Sequence, residues 1–429
     1  MRSSLLISPY FPPVGVSGTK RALHLVRNLP VHGWKPVVLT GTATGEPLDH
    51  TLVECVPPNV QVDRGFSGKL RPWLAARQAP PTERRARTTG NTAQQSILPT
   101  GFKYWSPFDR YLVDVPAGYA AAKALIERGN IEVIHVSADP WSSLIIADRL
   151  TRSTGIPLVV DFRDPWSLHA AKMAMRPPPT RSVLRRFEHR VFKVAAKVIL
   201  NTESAKNIYV DAYDGVIPAD RFTAVRNAFD EGLFLPSQPI ESTRFTVLYF
   251  GRFRQFVSPD ALLRGYKTFI DRLGLKPEQS CLKFVGGLSE AHHARVRDFQ
   301  LTDYLEMSVA VPFRESLSVL QSANVLALVI EPDCRLQIPG KLYDYLAARR
   351  PILAVSANDE ANRIIASANA GRSADHADTG AVADALHHFY RQWRAHEGGV
   401  SVRAEDIEPF SARRQACHIA QIYNEAVAR

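Results

Sequence analysis

Short apolar runs that end in polar residues, with helical stretches between most of them, recur along nearly the whole chain. In the first half they are SLLIS (4–8), WKPVVLT (34–40), IEVIHVS (131–137), PLVVDF (157–162), KVILN (197–201) and TAVRN (223–227). A strand that reads as a continuous apolar run is buried on both faces, and alternation with helices predicts a parallel sheet covered on both sides. A polar, proline-containing stretch, EGLFLPSQPIESTR (231–244), interrupts the series and reads as a linker. The alternation restarts with FTVLYFG (245–251), LKFVGG (282–287), LEMSVAV (305–311), VLALVI (325–330) and PILAV (351–355). The expectation is an α/β protein of two tandem domains: 1–230, a linker at 231–244, 245–404, and a C-terminal helix at 405–429. In that helix Ala416, Ile419, Ala420 and Tyr423 share one face.

The chain has 429 residues, and Lys+Arg 53 against Asp+Glu 42 gives a net charge of +11. A cationic balance favours acidic or phosphate-bearing partners. Over half of the excess lies in Phe66–Tyr104, where Lys69, Arg71, Arg77, Arg84, Arg85, Arg87 and Lys103 face one acid, Glu83. A loop of that length is either functional or a solvated insertion. The four cysteines, Cys55, Cys281, Cys334 and Cys417, lie far apart without CxxC spacing, which argues against a zinc site or a disulfide framework and fits a reducing cytoplasm. The apolar start is too short for a signal sequence, and no run reaches the ~18 apolar residues of a membrane span.

Candidate site residues gather where strands end. In SPYFPPVGVSGTKRA a loop with Gly15 and Gly18 joins the first strand to a helix N-terminus, where backbone N–H groups can approach a phosphate; a plain tight turn is the alternative. The spacing lacks the GxGxxG dinucleotide fingerprint, and no acid ends the next strand, which disfavours a nicotinamide dehydrogenase. The third run ends in His135, Ser137 and Asp139 and the fourth in Asp161, Arg163, Asp164 and Trp166, at the sheet edge where open α/β sheets bind ligands. Two carboxylates flanking an arginine suggest chemistry; an internal ion pair is the other reading. In the second half, Arg252 and Arg254 follow the first strand, and Gly340, Lys341 and Leu342 open a helix with Asp344 one turn on. Such a helix start can neutralise a diphosphate while the carboxylate accepts ribose hydroxyls, unless Lys341 and Asp344 are an ordinary i,i+3 pair. The adjacent pairs His292-His293 and His387-His388 point different ways on a helix and make no metal face.

These residues resemble the GT-B glycosyltransferases, in particular family 4, retaining enzymes of bacterial surface polysaccharide assembly. The resemblance rests on SPYFPPVGVSGTKRALHLVRNL, IEVIHVSADPWSSLIIADRLTRSTGIPLVVDFRDPW, RNAFD and PFRESLSVLQSANVLALVIEPDCRLQIPGKLYDYLAARRPILAV. It implies two Rossmann-like domains facing across a cleft, with the C-terminal helix crossing back to the N-domain. It also implies a nucleotide-sugar donor held mainly by the C-domain and a saccharide or polyprenyl-linked acceptor held by the N-domain. Asp344 falls at the second acid of the family's Glu-x7-Glu motif, while Leu336 replaces the first. Arg252 matches the diphosphate arginine, while Val257 occupies the usual lysine position, so Lys341 or Arg254 would substitute. Gly15 and Gly18 join the donor-binding set; Asp161, Arg163 and Asp164 are the catalytic candidates; His135, Ser137, Asp139 and Trp166 line the acceptor side. The chemistry implied is transfer with retention, without cofactor or obligatory metal.

A GT-B nucleotide-sugar epimerase is the alternative, and a basic nucleic-acid-binding protein a third reading, though no nucleic-acid module is present and the charge sits in one loop. The expected location is the cytoplasm, peripherally on the inner face of the plasma membrane. The Phe66–Tyr104 loop, with Trp73, Leu74, Phe102 and Trp105 among or beside its cations, and a helix over Ser182–Lys197 would meet anionic lipid there. Alternatively, the helix's stripe of Leu184, Phe187, Val191 and Val194 faces the core.

Overall fold

The structure, a computed structural model, describes residues 1–68, 104–235, 243–253, 257–395 and 402–429. It divides into two compact units, Met1–Arg226 with Ala412–Arg429, and Asn227–Ser411. Unit 1 holds a seven-stranded sheet ordered β3-β2-β1-β4-β5-β6-β7, built from β1 (Arg2–Ile7), β2 (Trp34–Leu39), β3 (Gln61–Asp63), β4 (Ile131–Ala138), β5 (Leu158–Phe162), β6 (Ala195–Leu200) and β7 (Phe222–Ala224). Every pairing is parallel. Unit 2 holds six strands ordered β10-β9-β8-β11-β12-β13: β8 (Phe245–Phe250), β9 (Ser280–Val285), β10 (Leu305–Ser308), β11 (Val325–Ile330), β12 (Ile352–Ser356) and β13 (Gly371–Ala374). These too pair in parallel throughout.

The central strands are the ones legible as apolar runs. All residues of β5, β11 and β12 are buried, as sheets covered by helices on both faces require. Two strands went unforeseen, β3 and β13. Each has at most four residues and lies at a sheet edge, where one flank meets solvent and no apolar run is needed.

The unit boundaries also differ from expectation. Phe229 and Phe234 are buried in the core of unit 2, the Phe229 amide donates to the Phe410 carbonyl (3.2 Å), and the Leu235 amide donates to Arg314 (2.8 Å). Much of the expected linker therefore belongs to unit 2; its residues 236–242 lie outside the described residues. The C-terminal segment is two helices, Ala404–Ile407 in unit 2 and Ala412–Ala428 in unit 1. The latter buries Ala416, Ile419, Ala420 and Tyr423, the face read from the sequence. The helix expected over Ser182–Lys197 runs from Pro178 to Val194, and Lys197 lies in β6. Of its apolar stripe, Leu184 and Val191 are fully buried and Phe187 and Val194 partly so, which turns the stripe to the core.

In unit 2 the helices Asp260–Leu273 and Thr379–Arg394 pack at Gly265, where an added Cβ would collide with the Val382 side chain. Only glycine permits this approach. Gly265→Ala should cost about 1–3 kcal/mol through overpacking, and adding Val382→Ala should recover part of that loss; urea denaturation of the two variants checks both.

Candidate active site

Asp161, the last buried acid before the β5 loop, has no exposed surface. Arg21, on the Ser17–Asn28 helix, grips it with two bonds, Nε to Oδ2 at 2.5 Å and Nη2 to Oδ1 at 2.8 Å, and donates further to the carbonyls of Val225 (3.0 Å) and Arg226 (2.9 Å). His135 Nε2 lies 3.4 Å from the same carboxylate, and its Nδ1 meets the Tyr423 hydroxyl at 2.9 Å. Burial alone would raise the Asp161 pKa; the Arg21 charge and the His135 contact outweigh it and hold the carboxyl well below its ordinary range. A carboxylate so strongly held as an anion is a poor proton acceptor. Asp161 and His135, expected at the reaction edge, are therefore an internal polar network, because a parallel sheet covered on both faces leaves no solvent at those positions.

The loop after β5 is anchored rather than free. The Trp166 amide donates to the Tyr209 hydroxyl at 2.9 Å, and Ser167 donates through its amide (3.1 Å) and hydroxyl (2.5 Å) to Glu188. Glu188 is fully buried on the Pro178–Val194 helix, and burial pushes its pKa up against these donors. Trp166 stacks on Trp141 with centroids 4.7 Å apart and is itself buried, so it packs the loop instead of lining an acceptor surface. Ser137, also buried, sits beside Asp161 in the β4–β5 register.

What this scaffold leaves partly accessible is Arg163 and Asp164, with Asp139 beside them. The Arg163 guanidinium donates to the Asp139 carbonyl, lies over Tyr10 with Cζ 5.8 Å from the ring centroid, and keeps its buried Nε unpartnered. It rests against the start of the Ser17–Asn28 helix so closely that a Cβ on Gly18 would lie 2.7 Å from its Cζ. That helix has no side-chain cap. A guanidinium beside an uncapped helix N-terminus suits an anionic or hydroxyl-rich group. Gly15 contributes differently from expectation: its amide donates to the Pro47 carbonyl (2.8 Å), which occupies the group proposed for a phosphate. The Asp164 side chain is 41% exposed, 4.0 Å from the Lys172 ammonium, and burial raises the pKa of Asp139 against the opposing charge of Arg163.

In unit 2 the helix Lys341–Ala348 begins at the carboxyl edge of the sheet, next to the end of β8. The Lys341 ammonium donates to the Tyr249 hydroxyl at 2.8 Å and sits 4.0 Å from that ring's centroid. It comes within 3.6 Å of where a Cβ on Gly251 would be, and Gly251 turns the chain with φ +92° before the exposed Arg252. The amides of Leu342 and Tyr343 are taken by the Pro339 and Gly340 carbonyls, at 3.0 and 3.1 Å, so an anion here would meet the Lys341 charge and the helix dipole. Leu342 is a core residue with no exposed surface, contrary to its expected donor contact, because its helix position points it inward. Asp344 is buried to 7% exposure in the first turn. Arg254 lies outside the described residues.

Asn358 holds the segment leading into this helix. Its amide nitrogen lies 3.1 Å from each of the carbonyls of Cys334, Arg335 and Gln337. Its Oδ1 accepts from Ala361, capping the next helix, and the side chain is buried. Tyr345 adds a second tie, accepting from the Phe250 amide (3.0 Å) and donating to Ala327 (3.2 Å). Among the described residues, no three His, Cys, Asp or Glu side chains gather as metal ligands.

Residues 18–228 match the glycosyl transferase 4-like domain. The chain carries a glycosyl transferase 4-like domain on a GT-B fold. No curated protein matches its sequence significantly. Its fold is similar to that of sucrose-phosphate synthase from Thermosynechococcus elongatus, with 18% identity, all of both chains covered and a TM-score of 0.66. It is similar to a mutant of S. aureus TarM in complex with fondaparinux, alpha-GlcNAc-glycerol and UDP, with 10% identity, 99% of this glycosyltransferase and 100% of TarM covered, and a TM-score of 0.64. A putative UDP-N-acetylglucosamine 2-epimerase from Listeria monocytogenes also shares the fold, at 10% identity, 97% and 94% coverage and a TM-score of 0.55.

Sequence reasoning missed Arg21, Glu188, Tyr249 and Asn358. Glu188 had a signal: it falls on the buried stripe of its helix, four residues after Leu184 and three before Val191. Arg21, four residues before the buried Leu25 on the same helix face, had a weaker one; Asn358 had none beyond its place as a helix cap.

The depressed Asp161 pKa sets a pH dependence in this glycosyltransferase. The pair's stabilisation is fully present above the ordinary aspartate value of about 3.9 and is lost as pH falls through the lower folded-state value. Asp161→Asn should therefore be less stable than the parent at pH 7, by about 3–5 kcal/mol for a broken buried pair, with the gap narrowing in acid. Urea unfolding from pH 7 down to pH 3 reads the convergence.

Proposed function

We propose that this glycosyltransferase moves a sugar from a nucleotide-sugar donor to a hydroxyl of a saccharide or polyprenyl-linked acceptor, with retention of configuration, in bacterial surface polysaccharide assembly. The observation that carries the donor half is Lys341, placed at a helix start beside the Gly251 turn and Arg252. As the anomeric carbon–phosphate oxygen bond breaks, charge grows on the diphosphate. Lys341, Arg252 and the helix dipole are fixed cations for that charge and need no metal to act. Asp344, one turn on, is the partner for the ribose hydroxyls.

The acceptor half rests on unit 1. A bond forms between the acceptor oxygen and the anomeric carbon, and the acceptor's proton passes to the departing phosphate or to Asp164. Asp164 is the more suitable of the two β5-loop acids because it is partly exposed and not locked to a guanidinium. Arg163, against Gly18 and the open helix end, would orient the acceptor. Epimerisation is the rival reading, and the requirement for an acceptor separates the two: nucleotide release should rise only when acceptor is added.

Membrane attachment belongs to the same proposal. Trp105 is 63% exposed, and its carbonyl is tied to Thr180 at 3.0 Å on the helix that bears exposed Val183, Arg185 and Arg186, close to exposed Met175. Among the described residues no helix is long and apolar enough to cross a membrane. Apolar side chains beside cations fit the surface of an anionic bilayer, each cation there contributing about 1 kcal/mol. The seven cations between Lys69 and Lys103 lie outside the described residues.

Lys341→Ala should weaken donor binding at least tenfold, the consequence of losing a charge-assisted contact of about 1.5–3 kcal/mol; titration of nucleotide sugars against parent and variant measures it. Flotation with anionic liposomes should show salt-sensitive binding that falls in a Trp105→Ser, Arg185→Ser, Arg186→Ser variant.

A further inference from the structure

Glu188 has no exposed surface, and the proposed transfer gives this buried acid of the Pro178–Val194 helix no part. Each oxygen of its carboxylate accepts twice. Oε1 takes the Ser167 hydroxyl (2.5 Å) and the Tyr213 hydroxyl (2.8 Å), and Oε2 takes the Ser167 amide (3.1 Å) and the Tyr209 hydroxyl (3.3 Å). These bonds fill the lone-pair sites of a carboxylate, and every donor is a neutral group.

The bonds converge on the loop after β5. Ser167 is bound to Glu188 directly, and the Trp166 amide donates to the Tyr209 hydroxyl (2.9 Å), which passes the tie on to the same carboxylate. At the other end of the loop the Arg163 amide donates to the Ala138 carbonyl (3.1 Å). Between these two pins stand Asp164 and Pro165, and a proline has no amide to donate. The pins on either side therefore set where Asp164 stands. An apolar side chain in place of Glu188 would avoid burying a carboxylate, but it would leave the buried Ser167 amide without an acceptor.

We propose that Glu188 is a positioning residue for the transfer: acting through Ser167 and Tyr209, it fixes the 163–167 loop and with it the place of the Asp164 carboxylate. This rests on the reading of Asp164 and Arg163 as acceptor-side groups and adds a residue that reaches the reaction only through others. Displacing a reacting group by about 1 Å can cost on the order of a hundredfold in rate. The geometry also separates the bonds of Glu188 from its charge. At Oε1 both partners are hydroxyls, which can turn to accept, whereas the Ser167 amide at Oε2 can only donate. A glutamine with its nitrogen in the Oε1 place and its oxygen in the Oε2 place keeps every contact without the charge. A leucine fills similar space and keeps none of them.

The experiment compares the full chain with Glu188→Gln, Glu188→Leu and Tyr209→Phe by two readouts. One is hydrogen exchange of the 163–167 amides; the other is nucleotide release from UDP-glucose, UDP-N-acetylglucosamine and GDP-mannose with octyl glucoside as acceptor. Glu188→Leu should exchange faster in the loop and lose at least tenfold in kcat while the donor KM keeps its parental value. Glu188→Gln should keep both the slow exchange and the turnover. Tyr209→Phe, which frees the Trp166 amide alone, should fall between the two, and it carries the test if Glu188→Leu does not fold. Slow loop exchange in both Glu188→Leu and Tyr209→Phe, parental kcat despite faster exchange, or an equal loss of kcat in Glu188→Gln would overturn the proposal. Acceptor-independent release by the parent would count against the transfer reading instead, and loop exchange would then decide the anchoring by itself.

Discussion

A guanidinium and a carboxylate meet inside unit 1 where neither has access to water, and much of that unit's order follows from their pairing. Alone, either charge would cost several kcal/mol to bury. Together Arg21 and Asp161 fix the first helix against β5, and the spare Arg21 donors fasten the chain at Val225 and Arg226, where unit 1 ends its first passage. The network continues through His135 to Tyr423, so the terminal helix is bound to the same centre by a polar contact as well as by its apolar face. Replacing the pair by apolar residues would remove charges but also the directional bonds that hold three separated segments in register.

This centre explains how two acids three residues apart can differ in role. Asp161 lies within β5 and is spent on structure. Asp164 lies past the end of the strand, on a loop held by Tyr209 and Glu188, and its carboxylate reaches solvent. Rigid anchoring behind an exposed acid is what proton transfer and substrate orientation require, since small displacements of a reacting group are expensive in rate. Unit 2 repeats the logic with different parts: Asn358 and Tyr345 hold the approaches to Lys341, and Tyr249 holds its ammonium.

The sequence was most informative where burial leaves little choice. Strands covered on both faces must be apolar, so β5, β11 and β12 could be read directly; β3 and β13, at the edges, could not. The helix beginning at Lys341 was legible from its Gly340-Lys341 start with Asp344 one turn on. Burial of individual polar residues was not, because a string such as VVDFRDPW places charges at a strand end without saying which precede and which follow the edge. Asp161, His135 and Trp166 were misread for that reason, and Leu342 because its position in a motif suggested contact while its helix phase pointed it into the core. Arg21 escaped notice because its partner stands 140 residues away.

Hydrogen exchange followed by mass spectrometry, with UDP, GDP and dTDP added in turn to the full chain, tests the central claim that the donor is held at the Lys341 helix start. The account predicts that one nucleotide slows exchange in the segments around Gly251–Arg252 and Gly340–Asp344, while the β5 loop of unit 1 is unchanged without acceptor. Slowed exchange confined to unit 1, with the Gly340–Asp344 amides unaffected by every nucleotide, would contradict it.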